Sequence, residues 1–140
     1  MRTVIVDMQS SLYAGAVRRS LAQELTEVQV VVSPHPEETA AQCRLLRPYA
    51  LLMEVTDYTP WKLEERLKLR NSVRRDVPDC RIVLLADEMN RALAEEVKRA
   101  KQIGLADAFL FTSATEGYLA AVLDMGIIER GFLFHRCIPP

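Results

Sequence analysis

The stretch CRIVLLAD, residues 80–87, decides the fold. Ile82, Val83, Leu84 and Leu85 are apolar on both faces of an extended segment, so a strand over Cys80 to Leu85 needs cover on both sides. Helical patterns flank it. Trp61 to Arg75 is rich in Lys, Arg, Glu and Leu and reads as a mostly exposed helix. After the strand, EMNRALAEEVKRAKQIG (residues 88–104) places Met89, Leu93, Val97 and Ala100 on one face, with Gly104 as its C-terminal stop.

The same alternation runs to both ends. Arg2 to Asp7, short and β-branched, Val28 to Val32, Tyr49 to Val55 and Ala108 to Phe111 read as strands. Between them, SSLYAGAVRRSLAQEL (residues 10–25) carries a helical stripe of Tyr13, Val17, Leu21 and Leu25, with Ser10 or Ser11 as N-cap. SPHPEETAAQCRLLRP (residues 33–48) has Pro36, Glu37 and Glu38 where a helix begins and Pro48 where it closes. A last helix spans Thr115 to Met125, with Tyr118, Val122 and Met125 inward. The pattern is (βα)5: an α/β fold with a single doubly wound, parallel, five-stranded sheet and right-handed crossovers. Residues 1–125 form the domain and 126–140 a C-terminal tail.

Composition narrows the function classes. At 140 residues, 49% hydrophobic and 26% charged, the chain fits one globular domain. Apolar runs stop far short of the ~20 residues that cross a bilayer. The N-terminus enters a strand directly, without the apolar core of a signal peptide, so a cytoplasmic location and no membrane partner are expected. The net charge of −1, with both signs interspersed, supplies no basic stripe for direct nucleic-acid binding. Cys43, Cys80 and Cys137 show neither zinc spacing nor a disulfide framework, and Cys43 and Cys80 read as buried thiols.

In such a sheet, ligands sit beyond the carboxyl ends of the strands. The chemistry-bearing positions are therefore Asp7-Met8-Gln9, Ser33-Pro34, Glu54 to Asp57, Ala86-Asp87-Glu88 and Thr112-Ser113. None carries a dinucleotide GxGxxG, a GxxxxGK[ST] phosphate loop or a GxSxG elbow.

Four segments carry a likeness: RTVIVDM (2–8), RPYALLMEV (47–55), VRRDVPDCRIVLLAD (73–87) and IGLADAFLFTSATEGYLAAVL (103–123). In order and spacing they resemble the receiver domain of two-component response regulators, a flavodoxin-like fold. That resemblance implies an acidic pair after the first strand, holding Mg²⁺ with a phosphoacceptor Asp that ends the third. It also implies a Ser or Thr after the fourth strand and a Lys after the fifth, both on the phosphoryl oxygens. The sequence departs from this. The acidic pair is Asp7 followed by apolar Met8, the Ser/Thr position falls on Ala86, and Thr112 stands where the Lys belongs. The acceptor position falls on Glu54, six residues after Pro48. Spacing back from VRRD points instead to Asp57. Loop insertions cost only on the order of half a kcal/mol per length doubling, so Glu54 is preferred.

Each feature also has a plainer reading. Asp7 and Glu54 are either the remnant of an acidic pocket, weak candidates for a metal, or two solvated strand-end acids. Asp87 and Glu88 sit where a helix begins, and Thr112 and Ser113 can cap the last helix. Trp61 is either a partner anchor or loop packing. Arg91, Glu95, Lys98 and Arg99 mix both signs on one helix face, a candidate interface by the resemblance and otherwise a solvated face. Phe132, Leu133 and Phe134 make the tail apolar, with Phe132 and Phe134 candidates for packing on the domain or a second copy.

The expectation is a degenerate, stand-alone pseudo-receiver in signal transduction. It is not an enzyme and not conventionally phosphorylated, and it acts on a protein partner or as a homodimer. No cofactor is expected, and Mg²⁺ only if the site is functional. The alternatives are a phosphorylatable receiver using Asp57 or Glu54 with Asp7, and a small α/β enzyme binding an anionic ligand at the strand ends.

Overall fold

The computed structural model describes residues 2–123. Its strands are β1 (Arg2–Asp7), β2 (Val28–Val32), β3 (Ala50–Glu54), β4 (Arg81–Ala86) and β5 (Ala108–Phe111). Its helices are α1 (Ser11–Glu24), α2 (Pro36–Leu46), α3 (Leu63–Asp76), α4 (Arg91–Gln102) and α5 (Glu116–Leu123). All strand pairs are parallel, in the order β2-β1-β3-β4-β5. The order reverses between β1 and β3, and the ends of those two strands create the cleft where this architecture places its site.

Pleat alternation divides the core into two layers. Val4, Val6, Leu52, Val83, Leu85 and Leu110 face α1 and α5, where Val17, Leu21, Leu119 and Leu123 meet them. Ile5, Leu51, Met53, Ile82, Leu84 and Ala86 face the other side, against Cys43 of α2, Val73 of α3 and Leu93 and Val97 of α4. All six residues of β4 are buried, as the apolar run over 82–85 requires.

Local signals set the helix ends. The Ser10 hydroxyl accepts from the Tyr13 amide at 3.2 Å and starts α1. Pro36 opens α2, which ends with Arg47 in the left-handed region (φ 47°) ahead of Pro48. Gly104, at φ 86°, turns the chain out of α4 and donates its amide to Lys101. A left-handed turn there is cheap only for glycine.

Several details differ from the sequence expectation. α4 starts at Arg91 with Asn90 as its cap, so Met89 lies in the preceding loop and is exposed instead of facing inward. Asp87 and Glu88 consequently precede the helix, and the Asp87 carboxylate accepts from the Met89 amide at 2.9 Å. The hydroxyl over the start of α5 is that of Thr115, accepting from Tyr118, so neither Thr112 nor Ser113 is the cap. α3 is not mostly exposed: it buries Val73 and, fully, Arg66. Met125, Phe132, Phe134 and Cys137 lie outside the described residues.

A polar staple closes the β4–β5 edge. Asp107 Oδ2 accepts from the buried Ile82 amide at 2.7 Å and from Arg74 of α3, whose Nε also donates to the Cys80 carbonyl at 3.1 Å. Asp107→Ala orphans that amide and unpairs the guanidinium. The expected loss is about 2 kcal/mol, read as a lower urea midpoint at constant m-value.

Candidate functional site

Asp7 is the last residue of β1 and only 1% exposed. A buried carboxylate needs a cation and hydrogen-bond donors. Arg66 of α3, also 1% exposed, supplies the cation. Its Nη2 donates to Asp7 Oδ1 at 3.1 Å and to the Asp7 carbonyl at 3.0 Å. Its Nε donates to the Glu54 carbonyl at 2.7 Å. Nη1 lies 2.9 Å from Asp7 Oδ2, an ion contact off the axis of an aligned hydrogen bond. One guanidinium thus ties together the ends of β1 and β3.

The remaining lone pairs of Asp7 are met from α2. The Thr39 hydroxyl donates to Asp7 Oδ2 at 2.6 Å. Its single proton is committed there, so it accepts in its 2.7 Å contact with Ser33, whose hydroxyl proton is shared with the His35 carbonyl at 3.1 Å. A hydroxyl relay Ser33→Thr39→Asp7 results, wholly buried at Thr39.

The two acids expected to share a pocket diverge. Asp7 points toward α2 and α3, while the Glu54 carboxylate accepts from the Gln9 amide at 2.9 Å on the α1 side. Glu54 also helps raise the pKa of the half-buried Tyr13 phenol of α1, after the larger effect of burial. Adjacent pleat positions explain the split: Met53 packs with the α2–α4 layer, Leu52 with the α1–α5 layer, and Glu54 follows Leu52.

Asp57 lies in the exposed loop after β3, and its Oδ2 accepts from Asn90 Nδ2 at 2.6 Å. Asn90 in turn caps α4 through its Oδ1 and the Leu93 amide, at 3.2 Å. Asp57 therefore ties the β3–α3 loop to the start of α4. Met8 is buried in the α1–α5 layer and Ala86 in the opposite one. The Thr112 amide donates to the Ala86 carbonyl at 3.0 Å. Trp61 is half-buried with its indole nitrogen enclosed, and the exposed aromatic of that loop is Tyr58. Arg91, Glu95, Lys98 and Arg99 are exposed along α4.

These residues do not fit an octahedral Mg²⁺. That ion needs several oxygens at about 2.0–2.1 Å, and the Asp7 oxygens and both strand-end carbonyls are already bound by Arg66. Among the described residues no group of three or more His, Cys, Asp or Glu side chains could hold a metal ion. A cavity of about 210 Å³ opens on the outer side of Arg66 between α2 and α3, with Glu37 and Glu65 in its wall. Those carboxylates oppose an anion there.

Arg66 was legible only indirectly. It falls in line with Leu63, Leu69 and Val73, the inward stripe of α3. A charged residue in an apolar helical stripe signals a buried partner.

No family model matches the chain, and no curated protein matches it. Solved structures do. A response regulator from Thermotoga maritima is 20% identical with a TM-score of 0.70, covering 91% of this chain and 98% of that one. Vibrio cholerae chemotaxis protein CheY4 is 17% identical, with a TM-score of 0.71 over 91% and 99%. A structure described as adenylate cyclase from Rhodopirellula baltica is 12% identical, with a TM-score of 0.73 over 96% and 93%. The sheet order, the helix layers and these likenesses define the receiver fold. At such identities the likeness is one of fold.

Proposed function

We propose that this receiver-fold domain is a signalling module that works through protein contacts and is not switched by metal-dependent phosphorylation. The observation that supports it is Arg66. In an active receiver, Mg²⁺ bridges the acid pocket and the incoming phosphoryl group, and a Lys clamps the product. Here the chain's own guanidinium neutralises Asp7, and no basic residue follows β5 before α5.

The Glu54 position adds to the reading. Its carboxylate reaches the β1–α1 loop, where it holds the Gln9 amide. A fixed negative charge at the strand end imitates part of the phosphorylated state without any transfer step. Output then comes from a permanently displayed surface, presented to a protein partner or a second copy, with no direct nucleic-acid contact and no chemistry of its own. A cytoplasmic location belongs to the same reading. Among the described residues, no helix is long and apolar enough to cross a membrane.

The test is thermal denaturation and amide NMR with Mg²⁺ and beryllofluoride, an acyl-phosphate mimic. The expected result is an unchanged melting temperature and no saturable shifts around Asp7, Glu54 or Asp57. A saturable, Mg²⁺-dependent stabilisation, abolished by Asp57→Asn or Glu54→Gln, would overturn the proposal.

A further inference from the structure

Five large apolar side chains are strongly exposed among the described residues, and three of them lie in the segments beyond the carboxyl ends of the strands. Leu12 (81% exposed), Tyr58 (67%) and Met89 (84%) follow β1, β3 and β4, three adjacent strands. Leu45 and Ile103, near the far ends of α2 and α4, are the other two.

The three loops are fastened to one another. Glu54 holds the Gln9 amide, joining the β1–α1 loop to β3, and Asp57 holds Asn90, joining the β3–α3 loop to α4. Tyr58 and Met89 are the immediate neighbours of that second bond. Three exposed apolar groups thus stand on the braced segments of this rim, and the strands they follow span about 10 Å, two inter-strand spacings. That is the diameter of a single α-helix.

The rim is also acidic. Glu54, Asp57, Asp87 and Glu88 lie within it, and none is ion-paired among the described residues. Their contacts are with the Gln9 amide, the Asn90 side chain and the Met89 amide. The two cations of these loops, Lys62 and Arg91, stand at the starts of α3 and α4.

We propose that this rim docks a cationic amphipathic helix of a partner protein. The helix lays its apolar face on Leu12, Tyr58 and Met89 and sets Lys or Arg against Asp57, Asp87 and Glu88. Tyr anchors and adaptable Met side chains suit the apolar face of such a helix. The inference deepens the protein-contact reading above and rests on it.

The probe is a fluorescent peptide of about 15 residues, roughly four turns, with Leu and Lys at helical spacing. Its controls are the same peptide with Glu for Lys, and a scramble of identical composition. The expected result is binding by the Lys peptide alone, with amide shifts at residues 9–13, 56–59 and 87–90. Affinity should drop steeply as salt rises from 0.1 to 1 M, where the screening length falls from about 10 to about 3 Å. Leu12→Ser/Tyr58→Ser/Met89→Ser should weaken binding about tenfold or more, and so, independently, should Asp87→Lys/Glu88→Lys.

Equal binding by either control peptide, or undiminished binding by both variants, would overturn the docking surface. So would shifts confined to the α4 face. Concentration-dependent dimerisation abolished by the triple substitution would overturn it in favour of a second copy. Beryllofluoride separates the two proposals: a response to it sinks the proposed function, whereas peptide indifference without that response sinks only the docking surface.

Discussion

Arg66→Met is expected to lower the unfolding free energy by about 3–5 kcal/mol, because it leaves the Asp7 carboxylate buried without its cation. The loss exceeds that of a packing change, since methionine roughly matches the aliphatic stem in volume. It also releases the Asp7 and Glu54 carbonyls that the guanidinium satisfies. Adding Asp7→Leu to Arg66→Met should recover part of the loss, because the orphaned charge disappears with it. Recovery stays incomplete, as the two carbonyls remain without their donor. A double-mutant cycle by urea denaturation checks this. Additive single effects would mean that the pair is not coupled, and a near-neutral Arg66→Met would mean that the pocket does not depend on its cation.

The second large effect is on thiol chemistry. Burial pushes Cys43 and Cys80 up to about 12, with nearby Asp7 adding to the rise at Cys43 and the neighbouring Cys43 thiol adding at Cys80. At pH 8 the thiolate fraction of each falls roughly a thousandfold below that of an ordinary thiol. Peptide-resolved alkylation at that pH should leave both unlabelled in native protein and modify both in urea. The sign of the stability effect follows: the raised folded value contributes stability below the ordinary pKa of 9.0. That contribution is lost as pH climbs from there toward 12. Rapid native labelling at pH 8 would show that the layer under α2 opens far more readily than its packing indicates.

The fold was legible because its signal is collective. Ile82 to Leu85 has nowhere to be exposed, and the same holds for Val4 to Val6 and Leu51 to Met53, so a covered parallel sheet follows from the pattern alone. The site was less legible because single residues there defeat the averages. Arg66 counts toward a charged, solvated helix in any composition reading, yet it is among the most buried side chains present. Met89 fits the apolar stripe of α4 by spacing, but the Asn90 cap starts the helix after it. Asp7 and Glu54 look like partners in sequence and are parted by the pleat, which alternation at period two could have shown. The departures at Met8 and Ala86 were visible by type, and both side chains have become part of the apolar layers.

The bond from Asp7 to a side chain of the same molecule has a consequence for control. A counter-ion on a covalent tether has a local concentration that no chelator and no fall in free magnesium can lower. On the proposed reading, EDTA leaves such a domain unchanged, and no phosphatase resets it. On the same reading the remaining variable is dosage: how much of the chain is made and how fast it is removed.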